Sequence, residues 1–192
     1  MRRTSIDSCF RQHVIPVVWE PGEHRDLLAR ASAIFLQGGP LRELIRILDT
    51  FCDRDLVDIP LFVHIDLLSG LENNDAGLEY LASFERISGV VTVHYQLSSP
   101  ARRLGLLSIV RLFLSDSRAV ARGLSVANKS HADAIEILPA AVAAKIAGDF
   151  KSCHIPRIAG GLCRTKADVA EVLDSGCRAI TSTSPLLWKL NS

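Results

Sequence analysis

Several kinds of residue are scarce in this chain, and each scarcity excludes something. Its 192 residues contain five cysteines (Cys9, Cys52, Cys153, Cys163 and Cys177) with no Cys-x-x-Cys pair. An odd, unpaired set is the usage of a reducing compartment and argues against a disulfide scaffold. Aromatic residues make up only 6 % of the chain, and no aromatic stacking platform of the kind that reads single-stranded RNA is visible among them. No run approaches the roughly 18 apolar residues of a membrane span, and MRRTSIDSCFRQH at the N-terminus lacks the apolar stretch of a signal peptide. The cytoplasm is the expected location, with no membrane partner. Neither a Rossmann fingerprint nor a Walker A loop is present, and Gly38-Gly39 is too short a signal to stand for either.

What is present suits one globular core. Hydrophobic residues are 48 % and charged residues 22 % of the sequence, a balance unlike that of disordered or collagen-like chains. The length fits a single domain spanning 1–192. Net charge is +1, but it is unevenly spread. Residues 1–96 carry nine Lys/Arg against fourteen Asp/Glu, a net of −5, and the remainder carries +6. An anionic ligand is therefore expected in the second half.

Eight short apolar runs punctuate the chain: Val14–Val18, Ala33–Leu36, Leu61–Ile65, Gly89–Val93, Leu107–Leu112, Ala134–Leu138, Arg157–Ala159 and Arg178–Ser182. Near-continuous apolar character, without alternation, is the mark of parallel strands covered on both faces. Helical patterns fall between them at Leu41–Phe51, Asp75–Phe84, Ser117–Val126 and Lys166–Gly176, with a short one at Ser98–Leu104. Thr165 and Asp168 have the spacing of a capping box, and Gly176 closes that helix. Eight units averaging 24 residues predict an α/β fold: a lean, single-domain (β/α)8 TIM-type barrel of parallel strands, with a doubly wound open sheet as the competing architecture.

In such a barrel, ligands meet the C-terminal ends of the strands, and phosphate commonly binds the last two loops. Here those loops are Ile158–Gly161 and Ala179–Ser184. Gly160 and Gly161 permit close backbone approach, while Ser182, Thr183 and Ser184 offer hydroxyls and N–H groups, so the segments predict phosphate binding in preference to a plain turn and a plain helix cap. His64 and Asp66, two apart at the end of the third strand, share a face. They lack further ligands at metal spacing and read as a hydrogen-bonded polar pair, with His64 a satisfied core histidine. Glu136 interrupts a buried strand, where an unpaired carboxylate is costly. It either binds a ligand hydroxyl or pairs with Arg111 on the adjacent strand. None of the five lysines (Lys129, Lys145, Lys151, Lys166, Lys189) ends a strand, which disfavours Schiff-base barrel chemistry.

The segments VHIDLLSGL (Val63–Leu71), RLFLSDS (Arg111–Ser117), DAIEILP (Asp133–Pro139), IAGGL (Ile158–Leu162), TKADV (Thr165–Val169) and ITSTSPLLW (Ile180–Trp188) occur in one order over most of the chain. Together they resemble the glycerol-3-phosphate-responsive antiterminators, bacterial regulators of glycerol-uptake operons. The resemblance implies a barrel that binds glycerol 3-phosphate, acts on an mRNA leader, and has neither catalytic residues nor a cofactor. Carried over, Gly160, Gly161, Ser182 and Thr183 would hold phosphate, and Asp66, Arg111 and Glu136 would line the pocket. The fourth and sixth loops depart from the family pattern: Ala140 replaces a glycine after the sixth strand, the proline before the following lysine is absent, Lys145 sits about one residue out of register, and His94 stands where a basic residue follows the fourth. Arg102 and Arg103 are candidate RNA contacts in the arginine-rich half, and a homo-oligomer is left open. The alternative function is a TIM-barrel enzyme of lyase or isomerase type on a small phosphorylated metabolite, with Asp66 or Glu136 as acid or base.

Overall fold

The computed structural model describes residues 5–192, so the first four residues of the expected 1–192 domain lie outside the described residues. Eight strands, β1 (Val14–Val18), β2 (Ile34–Leu36), β3 (Leu61–His64), β4 (Ile87–Thr92), β5 (Leu107–Phe113), β6 (Ala134–Leu138), β7 (Arg157–Gly160) and β8 (Ile180–Ser182), close into one barrel. Every neighbouring pair is parallel, and β1 seals against β8 with Val14 opposite Ile180. Each expected strand is found, with ends shifted by a residue or two: β4 starts at Ile87 and β8 at Ile180.

Helices α1 (Ile6–Cys9), α2 (Arg25–Leu28), α3 (Leu44–Thr50), α4 (Asp75–Ala82), α5 (Ser98–Arg103), α6 (Ser117–Lys129), α7 (Lys166–Asp174) and α8 (Pro185–Trp188) complete the fold. The helix expected over Leu41–Phe51 begins instead with a 3-10 turn, Leu41–Glu43. Gly39–Pro40 pairs there with Leu68–Ser69 as a two-residue parallel bridge, which fixes how the chain enters that turn. Between β6 and β7 the chain forms a 3-10 turn, Ala140–Val142, followed by irregular turns. The α7 capping box forms as its spacing predicts. Thr165 Oγ1 accepts from the Asp168 N–H at 3.2 Å, and Asp168 Oδ2 accepts from the Thr165 N–H at 2.9 Å.

Two apolar clusters hold the barrel. The larger lies between strands and helices and includes Leu28, Leu44, Ile47, Leu61, Leu78, Val110 and Phe150. The smaller fills the barrel's own interior with Ile15, Phe35, Phe62, Val91, Ile109, Ala134, Ile158 and Ala179, and Cys9 and Phe10 join it from the end of α1. Helix α1 thus stoppers the floor. Ser5 caps it by accepting from the Ser8 N–H at 3.3 Å. Among the described residues, no helix is long and apolar enough to cross a membrane.

Candidate functional site: a polar mouth above an apolar floor

Strand alternation sets the site. Residues two apart on a strand face the same way, so the positions following the interior cluster point into the barrel one layer closer to the C-terminal ends. On β3 Phe62 is followed by His64, on β5 Ile109 by Arg111, on β6 Ala134 by Glu136, and Ala179, just before β8, by Thr181. A cavity of about 230 Å³ opens at this level. His64, Arg111, Glu136, Thr181, Ser182 and Thr183 form its polar wall, Gly161, Leu162 and Cys163 its β7 side, and Val17, Phe35, Leu36 and Leu67 its apolar side.

The parallel register of β5 and β6 puts Arg111 opposite Glu136. Arg111 Nε donates to Glu136 Oε2 at 2.7 Å, and the Thr181 hydroxyl donates to Glu136 Oε1 at 2.6 Å. Glu136 is fully buried, so the sequence alternative in which it pairs with Arg111 is realised in the cavity wall itself. The guanidinium also neutralises a charge that burial would otherwise penalise heavily. Among the described residues, Arg111 donates through Nε alone, which leaves both terminal nitrogens free for an anion.

Of the residues expected to bind phosphate, Gly161, Ser182 and Thr183 line the cavity, whereas Gly160 and Ser184 do not. Gly160 is buried and makes room: a Cβ there would press on Thr181 Oγ1 and lie 2.9 Å from Glu136 Oε1. Gly161 (φ 77°) and Leu162 (φ 65°) are both left-handed, and the Gly161 carbonyl accepts from the Ala140 N–H at 3.1 Å. Ser184 spends its N–H on Ser182 Oγ at 3.1 Å and occupies the N-cap position of α8 without a side-chain capping bond.

His64 and Asp66 correct the expected polar pair. Strand β3 stops at His64, and a 3-10 turn, Ile65–Leu67, rotates Asp66 away from the two-residue alternation. Asp66 accepts instead from the Thr92 hydroxyl and the Val93 N–H, both at 2.8 Å. His64 Nδ1 stays 3.7 Å from Asp66 Oδ2, beyond a hydrogen bond. His64 is therefore a buried histidine with neither ring nitrogen satisfied, not the satisfied core residue expected. Burial, reinforced by the Arg111 charge, pushes its pKa down to about 4 despite the opposing pull of Asp66. His94 is half exposed, with Nε2 3.9 Å from Asp66 Oδ1. Asp66 and His94 stand beside the cavity wall, not in it.

Arg102 and Arg103 lie exposed on α5, with Arg103 3.6 Å from Asp75. No lysine lines the cavity, and among the described residues no three His, Cys, Asp or Glu side chains converge as a metal site would require. Sequence reasoning missed Val17 and Gln37 in the wall. Extending the alternation from Ile15 and Phe35 would have found both. It also missed Cys163, whose thiol burial pushes up to about 11, so that it stays protonated at neutral pH.

A closed parallel barrel with a small arginine-containing cavity at its C-terminal mouth defines a (β/α)8 barrel protein. Residues 14–188 match the family described as glycerol-3-phosphate responsive antiterminator, and the chain belongs to that family of regulators. The structure resembles the glycerol uptake operon antiterminator regulatory protein of Listeria monocytogenes, with TM-score 0.82 and 26 % identity over 93 % of this chain and 96 % of that one. A glycerol uptake operon antiterminator-related protein of Thermotoga maritima aligns with TM-score 0.80 and 27 % identity over 93 % and 98 % of the two chains. The uncharacterized protein YgcP of Escherichia coli is 29 % identical over 129 residues, 67 % of this chain and 68 % of its own. A chain of the tryptophan synthase complex from Pyrococcus furiosus, at 16 % identity and TM-score 0.63 over 92 % and 88 %, shares the fold alone.

Proposed function

We propose that the protein senses glycerol 3-phosphate in the barrel mouth and, so loaded, acts on the leader of an mRNA to prevent transcription termination. The observation that carries this reading is the placing of the free end of Arg111 in one cavity with Gly161 and Thr183 from the last two βα loops. A cation faces backbone and hydroxyl donors there, a set suited to a phosphate. At about 230 Å³ the space is smaller than the ~300–1,000 Å³ of pockets for drug-sized ligands and suits a three-carbon metabolite. Glu136, held by two hydrogen bonds, retains lone pairs for a ligand hydroxyl. With the carboxylate locked between Arg111 and Thr181, and no lysine in the wall, the arrangement favours holding a ligand over transforming it.

Isothermal titration with glycerol 3-phosphate tests the reading, with glycerol, dihydroxyacetone phosphate and inorganic phosphate as controls. Saturable binding of glycerol 3-phosphate without turnover is expected. Turnover of a triose phosphate that vanished in Glu136→Gln would replace the sensor with an enzyme. On the nucleic-acid side, ligand should strengthen binding of a leader RNA, and reversing Arg102 and Arg103 to Glu should weaken it about evenly across sequences, as loss of phosphate contacts does. Unchanged RNA binding would remove those two residues from the interface.

A further inference from the structure

Among the described residues, five buried side-chain polar atoms lack a hydrogen-bond partner, and two of the five are the ring nitrogens of His64. The other three belong to Ser98, Ser108 and Arg157, none of which lines the mouth cavity, whereas His64 does. His64 is 4 % exposed. Buried polar atoms in folded proteins are almost always paired, so two orphans on one ring facing a cavity require an explanation. Asp66, the nearest carboxylate, is committed to Thr92 and Val93.

The chemistry of this position is specific. A neutral imidazole offers one N–H donor and one lone pair. Glu136, in the same wall, offers only acceptor sites. An alcohol can donate to one of these acceptors while accepting from the imidazole N–H. A ketone at the same carbon has no proton to donate, and a carboxylate would bring a second negative charge toward buried Glu136. Resting on the sensor reading above, we propose that His64 is the specificity-determining residue of the mouth: it reads a ligand hydroxyl and restricts the site to phosphorylated polyols over the keto and acid compounds of the same carbon number.

The test titrates the wild-type chain, His64→Phe and His64→Gln with glycerol 3-phosphate, dihydroxyacetone phosphate and 3-phosphoglycerate. The wild type should prefer the alcohol over the ketone by about tenfold or more, the usual worth of a hydroxyl hydrogen bond in a site built for it. In His64→Phe that ratio should fall toward one, chiefly through weaker binding of glycerol 3-phosphate. His64→Gln, which keeps a donor and an acceptor, should recover part of it. As a readout independent of any variant's folding, the His64 ring-nitrogen NMR signals of the wild type should shift with glycerol 3-phosphate and stay in place with inorganic phosphate. A wild type that binds glycerol 3-phosphate with stationary ring nitrogens, or a Phe variant with an undiminished alcohol-to-ketone ratio, would overturn the role of His64 and leave the sensor reading intact. A wild type that bound none of the phosphates would overturn both.

Discussion

The floor and the mouth of this barrel are built from the same strands two residues apart, yet they obey opposite rules. Below, Phe62, Ile109, Ala134 and Ala179 are buried among apolar neighbours, and each contact adds to stability. Above, His64, Arg111, Glu136 and Thr181 are buried or nearly so, at positions where desolvation opposes folding. Four strands change from apolar to polar at one level. The difference teaches that the floor holds the fold while the mouth carries a stability cost, which the proposed ligand site accounts for.

The sharpest test of that division is to disturb each half in turn. Arg111→Leu leaves fully buried Glu136 uncompensated and should lower the unfolding free energy by about 3–5 kcal/mol in urea titration, with ligand binding lost. Phe62→Ala in the floor should cost a similar ~3–5 kcal/mol through the cavity it leaves, with ligand affinity retained. Arg111→Met combined with Glu136→Leu should recover most of the stability and none of the binding. If binding survived in that double variant, the mouth would not be the recognition layer.

A second effect follows from pH. His64 takes up a proton at about 4 in the folded chain against an ordinary 6.5, so between those values the unfolded chain binds more protons. Stability should therefore fall as pH drops from 6.5 to 4, by about 3 kcal/mol at most from this group. His64→Leu should flatten that window in a series of thermal melts, and a floor variant should not. Gly160→Ala should cost about 2 kcal/mol, because its methyl displaces Thr181 from Glu136, the usual scale of overpacking. Smallest is Thr165→Ala, remote from the mouth, which removes the α7 cap for about 1 kcal/mol and should leave ligand affinity unchanged.

The parts of this molecule legible in sequence are those governed by pattern. Buried parallel strands are near-continuously apolar, so all eight appear as runs. Glu136 signals a need for compensation because a carboxylate inside such a run is costly, and the sequence leaves two candidates for it, Arg111 on the next strand or a ligand hydroxyl. Other features depend on geometry that periodicity does not encode. Helix α1 is one turn long, too short to show a period. The alternation that would stack Asp66 on His64 ends where β3 becomes a 3-10 turn. Gly160 reads as a phosphate glycine, but what requires it is the side chain of Thr181 on the neighbouring strand. His64 reads as a core residue because sequence shows that it is buried and not whether its nitrogens find partners.

The most direct test of the mouth as a recognition layer is a crystal structure of the protein with glycerol 3-phosphate. The phosphate is predicted against the free end of Arg111 and the Gly161 and Thr183 loops, with the glycerol hydroxyls toward Glu136 and His64. Electron density for the ligand elsewhere on the protein, with the cavity above the floor left to solvent, would contradict the account.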